Sequence, residues 1–217
     1  MKKLLIITGP QGSGNHLFSR VFSTHPDVGG WKSLLDKYWV PSDLEPFAEY
    51  WVYPERLTAE QFEGKNYWLA NVSVPFVYDG VRQTPKILEM AQQAQSLGVD
   101  VTIAIIVRDQ NIQAEQQLRV RKEVTLPIAQ EYYYNHLLTS DFSVHFLDNE
   151  AFFLHKQHYL KWVSNLLQFP IDYNNPDILK FITEDPNRKY VKHVDAYWLD
   201  EQVWNGIQPM SARGLDK

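Results

Sequence analysis

The chain alternates short, wholly apolar runs with longer amphipathic ones. The run from Lys3 to Thr8 is apolar at Leu4, Leu5, Ile6 and Ile7 and stops at Gly9. That is the pattern of a strand buried on both faces of a parallel sheet. After a glycine-rich turn, Leu17-Phe18 and Val21-Phe22 recur at helical spacing. Asn66 to Val74 predicts a second strand, stopped by Pro75, and Lys86 to Ser96 a helix with Gly98 just past its end. Asp100 to Val107 (DVTIAIIV) is the clearest buried strand, and Arg108-Asp109 closes it. Asn111 to Lys122 predicts a helix, and Pro127 opens another that runs to Leu138. Phe142 to Leu147 is a short strand, followed by helices at Glu150–His155, His158–Leu167 and Pro176–Ile182.

Between Val28 and Glu63 no period holds. Pro41, Pro46 and Pro54 interrupt a stretch rich in aromatics, which predicts irregular chain with short helices. A stretch this long without regular structure inside a compact domain is often functional. Elsewhere strands alternate with helices, which predicts an α/β fold: three layers (αβα) around a mostly parallel central sheet. Ligands of such sheets sit beyond the carboxyl ends of the strands. Thr8 and Arg108 both stand at strand ends, so their loops are expected to face one crevice. The 217 residues fit a single domain, with 29–63 as an irregular, aromatic-rich insertion.

Composition narrows the chemistry. A hydrophobic share of 44% is that of a globular chain. Against 21 Lys+Arg stand 26 Asp+Glu, a formal net charge of −5 that argues against a protein coating a nucleic-acid duplex. A local basic pocket remains compatible with it. The absence of Cys excludes disulfides, thiolate zinc sites and a cysteine nucleophile. Among seven His, only His155 and His158 form a close pair, without a third ligand, so no metal centre is expected. Met1-Lys2-Lys3 and the apolar residues after it resemble a leader only until Thr8-Gly9-Pro10. That is too soon for a secretory core and far short of the ~20 residues of a membrane span. The expectation is a cytoplasmic protein with no membrane or nucleic-acid partner.

The candidate chemistry starts at Gly9-Pro10-Gln11-Gly12-Ser13-Gly14-Asn15-His16. Glycines after a strand let successive backbone N–H groups curl around an anion, and the helix that follows adds its N-terminal partial charge. The spacing is that of a phosphate-binding loop. A nucleoside triphosphatase, however, needs Lys and then Ser or Thr after the last glycine, for the phosphates and for magnesium. Here Asn15 and His16 stand there. Imidazole is a poor ligand for magnesium, which prefers oxygen. The anion cradle is retained and the triphosphatase chemistry is not. A plain tight turn is the structural alternative.

Three segments, in order, resemble the P-loop sulfotransferase family, which uses 3′-phosphoadenosine-5′-phosphosulfate (PAPS) as sulfuryl donor. Ser13-Gly14-Asn15-His16-Leu17-Phe18-Ser19-Arg20-Val21-Phe22, followed by His25-Pro26-Asp27-Val28, resembles the family's opening loop and helix. Ile105-Ile106-Val107-Arg108-Asp109 resembles the strand and Arg that bind the 3′-phosphate. Phe146-Leu147-Asp148-Asn149-Glu150, with Tyr159-Leu160-Lys161-Trp162 and Leu166-Leu167-Gln168-Phe169-Pro170, is similar to the late strand and helix. The chain departs from the family at three places. Gln116 stands where a Ser usually follows the Arg by eight positions. Gln11 and Gly12 stand where many members carry Lys or Arg. Ser211-Ala212-Arg213-Gly214 is the nearest counterpart of the C-terminal glycine-rich loop, and reads equally as a frayed tail.

The resemblance implies a donor site made of Gly9, Gln11, Gly12, Ser13, Gly14, Asn15, Arg108 and Gln116, with no metal required. Amides of Gln11 to Asn15 would cradle the 5′-phosphosulfate and Arg108 the 3′-phosphate, reinforced by Arg119 or Arg121 unless these form a solvated helix face. Asn15 and His16 are the candidate catalytic groups. His16 reads as base or as hydrogen-bond donor to the sulfate, or as a histidine packed on the loop. The acceptor is expected to be a small-molecule or glycan hydroxyl, with 29–63 on its side. There Trp31, Tyr38, Trp39, Phe47, Tyr50, Trp51 and Tyr53 either stack on an acceptor or form a local core, and core is the preferred reading. Core is also the reading for Tyr132-Tyr133-Tyr134, Trp198 and Trp204. His25 is expected to satisfy carbonyls at a helix end. Glu45 and Glu49, four apart among aromatics, are read as exposed surface acids; burial would raise a carboxyl and fit it for base work. Two other functions stay open: a kinase-like enzyme with a degenerate loop, and an inactive domain binding an anion or a partner.

Overall fold

The computed structural model describes residues 1–35, 37, 40–182 and 187. Strand β1 (Lys2–Pro10) lies at the centre of a five-stranded sheet. Its neighbours are β3 (Tyr67–Val74) on one side and β6 (Val99–Val107) on the other, both parallel to it. The two-residue β2 (Val28–Gly29) and β7 (Ser143–Asp148) complete the order β2-β3-β1-β6-β7. Every pairing in this sheet is parallel. In register, Ile6 lies between Ala70 and Ile103. Leu4 through Pro10 are all buried, which is why β1 is apolar at consecutive rather than alternate positions.

Helices cover both faces. Leu5 and Ile7 pack with Phe18 and Phe22 of α1 (Asn15–Ser23) and with Leu160 and Val163 of α5 (Asn149–Leu167). The short α6 (Pro176–Phe181) joins them through Ile178. On the other face, Leu4 and Ile6 meet Met90, Ala91 and Ala94 of α2 (Ile87–Ser96). Ala129 of α4 (Leu126–Tyr132) and Tyr133, in the π-helical turn Tyr133–Leu137, close that layer. The three-layer α/β expectation holds, with the glycine loop at the carboxyl end of the central strand. The helix α3 (Gln110–Arg121) buries polar groups instead: its buried residues are Gln113 and Gln117.

The irregular segment meets its expectation. It contains short 3-10 turns at Trp31–Leu34, Ser42–Leu44, Ala48–Trp51, Pro54–Arg56 and Ala59–Phe62. Trp31, Trp51 and Phe62 are at most 1% exposed, and Phe47 packs on Phe62 and Trp68, so these aromatics are core. Tyr38, Trp39, Trp198, Trp204 and residues 211–214 lie outside the described residues. Tyr53 and Tyr134 depart from the core reading: they are 38% and 67% exposed, although Tyr133 is buried.

Two other features were not expected. Strand β2 is one. The other is a hairpin of β4 (Phe76–Tyr78) and β5 (Val81–Gln83). Its turn places Asp79 and Gly80 at positive φ, 49° and 74°, as a two-residue hairpin turn of the mirror type requires. The two helices expected between 150 and 167 are one element broken at Lys156, where φ is 47° and ψ is −118°. Among the described residues, no helix is long and apolar enough to cross a membrane.

Candidate functional site

Residues Gln11 to Gly14 connect β1 to α1. Gly12 and Gly14 have φ of 86° and 109°, and Gly14 caps the helix in the left-handed region. The chain therefore turns with Ser13 N–H on Pro10 O at 3.0 Å and enters α1 at Asn15. The first-turn N–H groups of a helix have no intrahelical partner. No acidic side chain lies in the first turn to compete for them. The loop and helix start thus present N–H groups and the positive end of a helix dipole to an anion.

The loop is braced from within. Ser13 donates through Oγ to Asn15 Oδ1 at 2.7 Å. Asn15 Nδ2 donates to the carbonyls of Gly9 (3.5 Å) and Val72 (3.4 Å) and to Ser73 Oγ (3.2 Å). Both are buried, so these side chains tie the loop to the end of β3. Asn149, at the start of α5, donates to Ser13 O at 3.1 Å. From the α3 side, Gln113 Nε2 donates to Pro10 O at 3.3 Å. Gln117 Nε2 donates to Gln11 O at 2.7 Å, while its Oε1 accepts the N–H groups of Thr125 (2.7 Å) and Leu126 (2.9 Å). Thr125 Oγ1 donates to Gln11 Oε1 at 3.1 Å. Sequence reading missed Gln113 and Gln117; their spacing of four, one helical face, was the available signal.

Arg108 follows β6 and reaches the same loop, as the paired strands require. Its Nη1 donates to Gly12 O at 2.7 Å and to Gln116 Oε1, and its Nε donates to Asn187 Oδ1 at 2.7 Å. Asn187 also binds Glu150 Oε1 through Nδ2 at 2.6 Å. Arg108 is only 8% exposed, so its charge is held at the loop rather than in solvent. Gln116 accepts from the guanidinium.

His16 is the second residue of α1. Its Nε2 is 2.9 Å from Glu45 Oε1, and its ring centroid is 5.0 Å from that of the buried Trp31. Glu45 Oε2 accepts from Asn71 Nδ2 at 2.6 Å. The Glu45 side chain is 4% exposed, against 24% for His16. Burial pushes the Glu45 carboxyl above its ordinary range, and the bonds from His16 and Asn71 oppose that rise. This corrects the surface reading of Glu45: tertiary partners on α1 and β3 draw it inside. The surface reading holds for Glu49, which is partly exposed and bonds the exposed Arg56.

The remaining candidates lie apart from this chemistry. His25 is structural, but its Nδ1 accepts from Asp27 N–H at 3.2 Å instead of donating to a carbonyl. Arg119 is exposed and Arg121 half-buried near the end of α3, and His155 and His158 are exposed on α5. Among the described residues, no group of three His, Cys, Asp or Glu is placed to hold a metal ion.

No protein-family model and no curated protein matches the chain. Among solved structures, it is similar to mouse sulfotransferase SULT7A1 complexed with PAP, at 14% identity over 100% of this chain and 82% of that one, with a TM-score of 0.48. It is also similar to the sulfotransferase domain of the Synechococcus PCC 7002 olefin synthase. That match has 12% identity over 97% of this chain and 89% of that one, and a TM-score of 0.48.

Proposed function

We propose that this chain is a sulfotransferase that binds PAPS, or its product 3′-phosphoadenosine-5′-phosphate (PAP), and transfers the sulfuryl group to a hydroxyl acceptor. The observation that supports it is a convergence at the carboxyl end of the sheet's central strands. A glycine-rich N–H cradle, a buried Arg touching that cradle, and an imidazole backed by a buried carboxylate come together there. The residues fit the donor's chemistry. Backbone N–H groups of Gln11 to Asn15 suit the 5′-phosphosulfate, and the fork-shaped, permanently charged Arg108 suits a 3′-phosphate. Asn15 and Ser13 hold the cradle's shape, and Gln116 orients Arg108.

Bound PAPS supplies an activated sulfuryl group with a phosphate as its leaving group. His16 takes the proton from the acceptor hydroxyl, and the helix start stabilises charge on the departing phosphate. No metal is called for, since Asn15 and His16 replace the Lys and Ser/Thr that a magnesium nucleotide site uses. The acceptor is a small-molecule or glycan hydroxyl, with 29–63 on its side.

The test compares PAP with adenosine 5′-phosphate, which lacks the 3′-phosphate. The wild-type chain should prefer PAP, and Arg108→Ala should lose about 10- to 100-fold on PAP while hardly changing for the other nucleotide, the worth of charge-assisted hydrogen bonds. Arg108→Lys, which keeps the charge near Gly12 O, should recover part of the preference. Equal losses for both nucleotides would show that Arg108 does not read the 3′-phosphate.

A further inference from the structure

We infer that Glu45, held by Asn71, is the positioning residue that fixes His16 as its Nε2–H tautomer and makes Nδ1 the basic nitrogen. The inference rests on the sulfotransferase reading for the reaction served, but not for the geometry. An amide nitrogen can only donate, so Asn71 Nδ2 at 2.6 Å makes Glu45 Oε2 an acceptor. Oε1 faces His16 Nε2 at 2.9 Å. A carboxylate accepting at both oxygens leaves Nε2 to carry the hydrogen, and Nδ1 to carry the lone pair. At 4% exposure, the Glu45 side chain has almost no water to solvate it, so a buried carboxylate here requires these two donors.

The position of His16 explains why such support is needed. The second residue of a helix sits in the positive end of the dipole, which disfavours an imidazolium. A buried carboxylate against its far nitrogen offsets that field. Trp31, fully buried, walls one side of the ring, while His16 keeps 24% of its side chain open. Glu45 is itself fixed: its N–H bonds Ser42 O at 3.4 Å and its carbonyl accepts from Ala48 N–H at 3.1 Å. The irregular segment thus supplies a working part of the site, although its Trp31, Trp51 and Phe62 are core.

In the transfer, the acceptor O–H bond breaks as the Nδ1–H bond forms, and the oxygen keeps the electron pair. That pair makes the new S–O bond, and the pair of the broken donor S–O bond leaves with the 5′-phosphate. The imidazolium then carries both N–H protons beside the Glu45 carboxylate, and its Nδ1 proton passes on to solvent.

The experiment is imidazole nitrogen NMR on the full 15N-labelled chain without nucleotide, with the His16 signals identified by their loss in His16→Asn. At a pH where His16 is neutral, the wild type should show Nε2–H. In Glu45→Gln, with Asn71 keeping its amide orientation, the introduced amide presents oxygen to Asn71, so its NH2 faces His16 and the tautomer should invert to Nδ1–H. The same variant should lose about 100-fold or more in kcat, with KM and PAP affinity within about threefold of wild type. A wild-type Nδ1–H tautomer overturns the inference whether or not PAP binds. The predicted inversion in a chain that does not bind PAP upholds the pair and sinks the donor reading instead.

Discussion

Gln117 Nε2 donates to the backbone carbonyl of Gln11 at 2.7 Å, across 106 positions of sequence. The same side chain accepts the N–H groups that open α4, so one buried amide ties the glycine loop to two helices. Replacing it with Leu leaves the N–H groups of Thr125 and Leu126 and the Gln11 carbonyl without this partner. An orphaned buried polar group costs about 1–3 kcal/mol. Gln117→Leu is expected to lower unfolding stability by about 2–5 kcal/mol in urea titrations and to weaken PAP binding. A loss under about 1 kcal/mol would mean that the amide does not brace the loop.

Gly14 and Gly98 both have positive φ, 109° and 79°, but in different surroundings. A Cβ on Gly14 would come within 2.2 Å of Asn149 Nδ2, which holds Ser13 O, whereas one on Gly98 meets nothing within 4 Å. Gly98→Ala should therefore cost only the left-handed backbone strain, about 1–2 kcal/mol. Gly14→Ala adds a clash and a lost hydrogen bond. It should cost about 3 kcal/mol or more and abolish measurable anion binding. Equal costs from chemical denaturation would show that the contact with Asn149 is dispensable.

Three tyrosines should titrate late. Burial pushes Tyr132 and Tyr159 up to about 12, and Tyr133 is raised as well. Each accepts or shares a hydrogen bond: Tyr132 from Ile87 N–H, Tyr159 from Asp148 N–H, and Tyr133 with Thr8 Oγ1. A folded value above the unfolded one means that the neutral phenol's stabilisation is fully present below about pH 10 and is lost as pH rises through about 12. Ultraviolet titration of the folded chain should leave a late-ionising fraction that coincides with alkaline unfolding, and Tyr159→Phe should reduce it. Complete ionisation of every phenol by about pH 11 in a chain still folded would contradict this burial.

The central strands β1, β3 and β6 were legible because they are buried on both faces. Runs such as Val101 to Val107 then carry an unbroken apolar signal. The hairpin was not, since three-residue strands are too short to show a period, although Asp79-Gly80 marked its turn. The loop, Arg108 and His16 could be read locally, because strand ends and helix starts place them. Glu45 could not. Its burial depends on His16, 29 positions before it, and Asn71, 26 positions after it, and no local pattern distinguishes it from the exposed Glu49.

The central claim is a donor site for a 3′-phosphorylated adenine nucleotide that works without metal. Calorimetric titration of the full chain with PAP in magnesium-free, EDTA-containing buffer tests it directly, with Mg·ATP titrated in parallel. The account predicts saturable one-to-one binding of PAP, at least about tenfold tighter than any binding of Mg·ATP. Binding of Mg·ATP alone, or no heat with PAP, would contradict it.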